Sequence, residues 1–142
     1  MNKRVECDIK LLRNNKYVLE ILENDTIHVF TTGPDDSPYS NTKLKVLITF
    51  SEEYPFKSPS VGFVNKIWHP NVDYNSGSIC LNVLNQEWSP IYSCLHIIET
   101  FIPQLLLYPN PEDPLNAAAA RLFLDDKIKY FDSVRNNTHS SE

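Results

Sequence analysis

The chain has 142 residues, of which 42% are hydrophobic and 22% charged, and its formal net charge is −5. This length suits one globular domain that buries roughly 70% of its unfolded surface. An acidic chain has no overall attraction for nucleic acid or anionic lipid, so neither is expected as a main partner. The start carries no apolar signal segment, and no apolar run reaches the roughly 20 residues that span a membrane.

The first half predicts one helix followed by strands. Val5, Ile9 and Leu12 recur at helical spacing, which predicts an amphipathic helix over residues 3–13. Alternating or β-branched runs predict four strands, over residues 16–22, 26–32, 43–50 and 61–66. Their hairpin-length connections favour an antiparallel meander.

Prolines then punctuate a long irregular segment after residue 66, of a kind that is usually functional in a compact domain. Within it, the run ICLNVL (79–84) is read as strand-like. Residues 94–107 predict a helix with a kink at Pro103, which cannot donate to the carbonyl of Glu99. Asn116 is a suitable N-cap for the helix that follows.

A last helix is predicted with Asp125 or Asp126 as its cap, and its apolar face carries Ile128, Phe131 and Val134. Residues 136–142 are polar and are expected to fray. The whole pattern predicts an α+β fold with an N-terminal helix, a four-stranded antiparallel meander, a long loop and C-terminal helices. We expect one core domain over residues 1–135 and a short polar tail over 136–142.

Cys80 stands just after a polar turn that holds Asn75 and Gly77. A free cysteine is often an inert core residue. Asn71, nine residues upstream, could donate its amide to an oxygen that gains charge during acyl transfer. These residues by themselves leave a core thiol and a nucleophile both open.

A cysteine hydrolase is one alternative, because His69, Asn71 and Cys80 supply the residue types. Such enzymes lower the pKa of the thiol with an imidazole, often at a helix N-terminus. Cys80 is instead predicted to lead into a strand-like run, and His69 is read more simply as a buried hydrogen-bonding residue.

The three cysteines are Cys7, Cys80 and Cys94, an odd and widely spaced set that argues against a disulfide scaffold and for a reducing compartment. The cysteines and histidines form no metal-ligand pair, so no metal site is expected. Two aromatic residues, Phe56 and Trp88, lie beside prolines. Trp88 is expected to pack on the core, whereas Phe56 suits a partner contact equally well.

The motifs YPFKSP, HPN, GSICLN, WSP and PNPEDPLN, in this order, resemble the ubiquitin-conjugating enzymes over roughly residues 3–135. The predicted order of helix, meander, loop and helices is that family's fold. The nine-residue step from Asn71 to Cys80 and the run IIETFIPQLLLYPNPEDPLN are similar to one branch. That branch ubiquitinates histones and serves the GID/CTLH ligase.

The resemblance implies a role for each motif residue. Cys80 would accept ubiquitin as a thioester from an activating enzyme and pass it to a substrate lysine. Asn71 would stabilise the oxyanion or brace the loop. Asp113 would orient the lysine and help remove its proton, although it could also merely cap its turn. His69 and Asn82 would surround the site, and many relatives have Asp where this chain has Asn82.

The resemblance also implies partners. A RING-type ligase would dock on Phe56, Trp88, Ser89 and Pro90, and the activating enzyme on Lys3 and Arg4. No metal or bound cofactor is implied, since the activating enzyme uses the ATP. We expect a monomer in the cytoplasm or nucleus. The alternatives are a carrier of another ubiquitin-like modifier and a non-catalytic variant that binds ubiquitin or a ligase, although such variants lack the cysteine.

Overall fold

A computed structural model describes residues 1–141. The elements, in chain order, are α1 Lys3–Asn14, β1 Leu19–Leu22, β2 Thr26–Thr32, β3 Lys43–Thr49, β4 Ser60–Phe63, α2 Leu81–Glu87, α3 Cys94–His96, a π-helical turn Ile97–Phe101, α4 Ile102–Leu107, α5 Ala117–Asp125 and α6 Lys127–Asn137. The predicted α+β order, with a helix first, a meander next and helices last, is confirmed.

The four strands form one antiparallel sheet in the order β1-β2-β3-β4. Leu44, Val46 and Ile48 of β3 are fully buried, as their alternation predicts. Val46 pairs with Val29 on one side and with Phe63 on the other, so the buried face is continuous across β2, β3 and β4. The outer strands are shorter than predicted: β1 begins at residue 19 and β4 ends at residue 63.

Helix α1 buries Val5, Ile9 and Leu12 as predicted, and Asn2 caps it by accepting from the Val5 N–H at 2.9 Å. Asp8 is also buried, because it lies three residues after Val5 and four before Leu12 on the same stripe. A carboxyl group on that stripe needs partners, and these are described below.

The prediction of a strand-like run after Cys80 is wrong. Residues 81–87 form α2, whose first turn bonds to the Cys80 carbonyl from the N–H groups of Val83 and Leu84. A short apolar run fits both periods: Ile79, Leu81 and Val83 alternate as in a strand, whereas Leu81 and Leu84 are three residues apart as in a helix. The thiol therefore lies at a helix start and not within a sheet.

The helical segment 94–107 is continuous, but its irregularity precedes Pro103. The Ile102 N–H reaches the carbonyl of Ile97, five residues back, which makes a π-helical turn. Pro103 has no N–H to donate to the Glu99 carbonyl, so the predicted loss of one helical hydrogen bond occurs. The chain accommodates it with the wider turn that is closed by the N–H of the preceding residue, Ile102.

Of the three residues on the predicted apolar face of the last helix, only Val134 is buried. Helix α6 buries Tyr130 and Val134, four residues apart, whereas Ile128 is 78% exposed and Phe131 47%. Of the two candidate caps, Asp126 caps the helix by accepting from the Lys129 N–H at 3.1 Å.

Residues 136–141 do not fray as predicted, and the last residue of the predicted tail, 142, lies outside the described residues. Helix α6 continues to Asn137, and the Thr138 hydroxyl accepts from the Trp68 N–H at 3.0 Å. The N–H groups of His139 and Ser141 then donate to the carbonyls of Lys66 and Lys43, both at 2.8 Å. The segment 138–141 thus lies along β3 and the chain that follows β4.

Among residues 1–141, no helix combines the length and the apolar character needed to cross a membrane.

Candidate active site

Cys80 is held where the polar loop ends and α2 begins. The Gly77 carbonyl accepts from the Phe63 N–H at 2.8 Å, and the Cys80 N–H donates to the Asn71 carbonyl at 3.1 Å. Gly77 has φ +79°, and a Cβ there would lie 1.9 Å from the Phe63 carbonyl oxygen, so only glycine allows this close approach. The Cys80 side chain is partly exposed, whereas Cys94 is buried. Cys80 is therefore reachable on a well-supported backbone.

The Asn71 side chain is buried and joins two segments of the chain. Its Nδ2 donates to the Asn110 carbonyl at 2.6 Å, and its Oδ1 accepts from the Asn110 N–H at 2.8 Å. Both polar atoms of the amide thus bond to the backbone of the loop that carries Asp113. Of the two roles left open by the sequence, this geometry favours bracing the loop.

His69 is fully buried and neutral. Its Nδ1 accepts from the Asn71 N–H at 2.9 Å, so Nε2 carries the proton and donates to the Leu105 carbonyl at 2.7 Å. Burial lowers the pKa of His69 to about 4, although the Leu105 bond opposes this shift. With both ring nitrogens occupied, His69 cannot activate the thiol. It is the buried hydrogen-bonding residue of the simpler interpretation, and the hydrolase alternative loses its base.

The loop over residues 109–116 is anchored at both ends. Asn110 Oδ1 accepts from the Glu112 N–H at 3.1 Å, and the Pro70 carbonyl accepts from the N–H groups of Leu115 and Asn116 at 2.9 and 3.1 Å. Asp113 lies between these anchors, exposed, with φ +49°. Within residues 1–141 its carboxylate makes no hydrogen bond or ion pair, so Asp113 does not cap the turn.

Two of the four residues predicted to dock a ligase, Phe56 and Trp88, line one surface depression together with residues of α2. Phe56 is 80% exposed, and Trp88 is partly buried with its Nε1 donating to the Pro55 carbonyl at 2.9 Å. Trp88 therefore packs on the core as predicted. A depression of about 470 Å³ connects the two aromatic residues to α2, and it is lined by Phe56, Lys57, Ser58, Leu81, Asn85 and Trp88.

Four predicted residues lie beside these features. Asn82 is exposed on the first turn of α2, and Pro90 is exposed in the loop after Trp88, where Ser89 is partly buried. Lys3 is exposed at the start of α1.

The structure does not present Arg4 as a free partner contact. Its guanidinium bonds to Asp8 at 3.1 Å, to the Pro90 carbonyl at 3.1 Å and to the Tyr92 carbonyl. The resemblance implied that Arg4 contacts the activating enzyme, and nothing local in the sequence shows that residues 90 and 92 fold against α1.

Two functional residues were missed. Asn110 anchors the Asn71 amide, and no periodic signal identifies it because it lies in a proline-rich loop. Asp8 could have been found, since a charged residue at i+3 in a stripe of buried apolar positions needs a buried partner. Across residues 1–141, no cluster of three or more histidine, cysteine or acidic side chains is arranged to hold a metal ion.

Known proteins resemble this chain over most of its length. A family model described as ubiquitin-conjugating enzyme matches residues 4–138. The ubiquitin-conjugating enzyme E2-23 kDa of Triticum aestivum is 50% identical over 137 residues, which cover 94% of this chain and 74% of the relative. The E2-24 kDa enzyme of Saccharomyces cerevisiae is 45% identical over 136 residues, with 94% and 62% coverage.

A solved structure has the same fold as this chain. The E2 domain of a Toxoplasma gondii ubiquitin conjugating enzyme superposes with a TM-score of 0.81 at 27% identity, covering 94% of this chain and 92% of that domain. A reachable cysteine beside an asparagine-braced loop is suited to acyl transfer through a thiol. The chain belongs to the ubiquitin-conjugating enzyme family, whose members are ubiquitin transferases that act through a cysteine thioester. The family works with ubiquitin, an activating enzyme and a ligase, and its members generally need no cofactor.

Proposed function

We propose that Cys80 is the residue that carries ubiquitin. The observation that carries this proposal is the reachable Cys80 thiol on a backbone tied to Asn71, which in turn holds the loop of Asp113. The Cys80 thiolate attacks the thioester carbonyl on the activating enzyme, a new C–S bond forms, and the thiolate of the activating enzyme leaves. A lysine amine then attacks, an amide bond forms, and the Cys80 thiolate is released.

Asn71 and Asp113 serve the second step. Two hydrogen bonds between the Asn71 amide and the Asn110 backbone support a positioning role for Asn71, which holds the loop that bears Asp113. The Asp113 carboxylate has no partner among the described residues, so it is available to orient the amine and accept its proton. His69 supports the same backbone by accepting a hydrogen bond from the Asn71 N–H. Asn82 is uncharged, so it supplies no carboxylate near the thiol, where many relatives have Asp.

Phe56, Trp88, Ser89 and Pro90 form the proposed ligase surface, and Lys3 is the proposed contact for the activating enzyme. We assign the chain, on the resemblance of its motifs, to the branch that acts on histones with a GID/CTLH-type ligase. We further propose one core domain over nearly the whole chain, acting as a monomer in the cytoplasm or nucleus without metal or bound cofactor.

A charging assay tests this function. The protein is incubated with ubiquitin, activating enzyme and ATP and separated without reductant. One band heavier by one ubiquitin is expected, sensitive to thiol and absent in Cys80→Ala, whereas Cys80→Ser gives a thiol-resistant oxyester. Charging by another modifier with its own activating enzyme, and not by ubiquitin, would assign the chain to that modifier. Saturable ubiquitin binding with no charging would favour a binding protein.

The charged protein then tests the loop. Discharge to free lysine is expected to fall by about 100-fold in Asp113→Asn, because a positioned base contributes on the order of 10²–10⁴. Asn71→Ala is expected to slow discharge and also to lower the free energy of unfolding by about 2 kcal/mol, because the backbone N–H and carbonyl of Asn110 each lose a partly buried hydrogen bond. A slower discharge with unchanged stability would instead make Asn71 an oxyanion donor only.

A further inference from the structure

Arg4 links helix α1 to the loop that follows Trp88. Its Nη1 donates to the Pro90 carbonyl at 3.1 Å and its Nη2 to the Tyr92 carbonyl, while Nε bonds to Asp8 Oδ1 at 3.1 Å. The guanidinium thus uses all three of its nitrogens within its own chain. Residues 90 and 92 lie more than 80 positions away in sequence, so these bonds are tertiary.

Asp8 completes the link from the buried side. Its Oδ2 accepts from the Tyr54 hydroxyl and from the Cys94 N–H at 3.3 Å. The Arg4 guanidinium also lies over the Tyr54 ring, 5.7 Å from its centroid. The pair Arg4 and Asp8, which we name the α1 clamp, therefore bonds to both loops of the proposed ligase surface, the one that holds Phe56 and the one that follows Trp88.

The two loops of that surface meet at the α1 clamp. Tyr54 begins the loop of Phe56, and its ring packs 5.6 Å from that of Trp88, whose Nε1 bonds to Pro55. Tyr92 ends the second loop and stacks on His96 at 3.9 Å. The side chain of Phe56 is almost wholly exposed, so its position depends on the backbone beneath it.

We propose that Arg4 is a positioning residue for ligase docking, acting through its bonds to Pro90 and Tyr92 and not through contact with the partner. This inference rests on the proposed function and adds a determinant of ligase affinity. A loop held in its bound arrangement loses less conformational freedom on binding, which raises affinity without adding a contact. Arginine is suited to this role because its fork directs several donors at fixed angles, whereas the lysine ammonium is a single centre.

The substitution Arg4→Lys distinguishes positioning of the loop from direct contact with the ligase through charge. It keeps the positive charge but loses the planar guanidinium with its several donors. The probe is a RING domain that stimulates discharge of the charged wild-type protein to free lysine. Its concentration is varied while the concentration of the charged protein is held constant. We expect the half-saturating RING concentration to rise about fivefold and the rate at saturation to stay unchanged. Arg13→Lys, the same substitution at an exposed arginine in the last turn of α1, is the matched control and should leave both quantities unchanged.

Amide spectra of the free, uncharged protein provide a second readout that does not depend on activity. In Arg4→Lys, chemical-shift changes are expected in residues 89–93 as well as around the substitution, while the thermal midpoint stays within a few degrees. Arg4→Gln is the replacement variant if the lysine variant proves unstable. Should wild-type protein fail to charge, the proposed function is lost, but these spectra still test the α1 clamp.

Two outcomes would overturn the inference. A lysine variant with wild-type half-saturation would show that charge alone is needed, as for a direct contact with the ligase. Unchanged amide shifts in residues 89–93 would show that Arg4 does not hold the loop. A fivefold weaker half-saturation together with those shifts supports it.

Discussion

His69 illustrates how burial decides the chemistry of one residue. The imidazole lies wholly inside the domain, and its two nitrogens bond to backbone groups that no water reaches. A charged ring would have to give up the bond from the Asn71 N–H, since both nitrogens would then be donors. The residue therefore belongs to the support of the active site and not to its proton transfers.

This arrangement predicts a pH dependence of stability. The pKa of His69 is about 4 in the folded protein, against 6.5 for an ordinary histidine, so the unfolded chain binds more protons between these values. Stability should be fully present above pH 6.5 and fall by about 3 kcal/mol as pH drops to about 4. Urea unfolding at several pH values measures this loss.

The variant His69→Gln isolates the contribution of the ring from that of other titrating groups. It is expected to be less stable at pH 7, with a shallower decline between pH 6.5 and 4. Substitution of the exposed His139 by Gln should leave the wild-type slope unchanged. Equal slopes for His69→Gln and the wild type would contradict the assignment.

At the scale of elements, capping residues decide where the last two helices begin. Asn116 accepts from the Ala119 N–H at 3.1 Å and starts α5, and Asp126 accepts from the Lys129 N–H at 3.1 Å and starts α6. In each case an oxygen three residues upstream satisfies an N–H that the helix itself leaves unpaired.

The adjacent acids Asp125 and Asp126 allow a matched test of the α6 cap. Asp126→Ala is expected to lower the free energy of unfolding by about 1 kcal/mol, because it removes the cap bond. Asp125→Ala removes a similar charge from an exposed position and should change stability by less than about 0.5 kcal/mol. Denaturant unfolding of both variants measures the difference, and equal losses would mean that charge and not the cap bond matters.

At the scale of the whole molecule, the sheet is tied to both ends of the chain. Helix α1 supplies core residues from the beginning, and the Thr138 hydroxyl and the backbone of 139–141 bond to the sheet side from the end. Tyr130 of α6 adds a bond to Tyr39 at 3.2 Å, between buried hydroxyls. Because these bonds join the beginning and the end of the described chain to the sheet, segments that are distant in sequence stabilise one another.

The Thr138 bond predicts that the chain end contributes to global stability. Thr138→Ala leaves the Trp68 N–H without its acceptor and is expected to cost about 1 kcal/mol, or a thermal midpoint lower by about 3 °C. Thr138→Ser keeps the hydroxyl and is the control. A calorimetric scan in which the alanine variant melts like the wild type would restore the original expectation of a frayed end.

The sequence by itself determined the order of elements, the buried faces of α1 and β3, the cap of α5, two adjacent candidates for the cap of α6, and the motif residues around Cys80. These features rest on local periodicity, side-chain capping and short motifs, all of which are expressed within a few neighbouring positions. Even Asp8 was identifiable in this way, as an acid on an apolar stripe.

Only the tertiary structure decided the remaining features, because each depends on residues distant in the chain. The segment after Cys80 fits a strand or a helix until packing chooses, and Ile128 and Phe131 are exposed because Tyr130 and Val134 face the core. The bonds from Arg4 to residues 90 and 92 and from Asn71 to Asn110 join loops whose approach no local pattern encodes. Such contacts stabilise the protein only after folding has brought the two loops together. The sequence therefore lists the residues that bond but does not show which of them bond to each other.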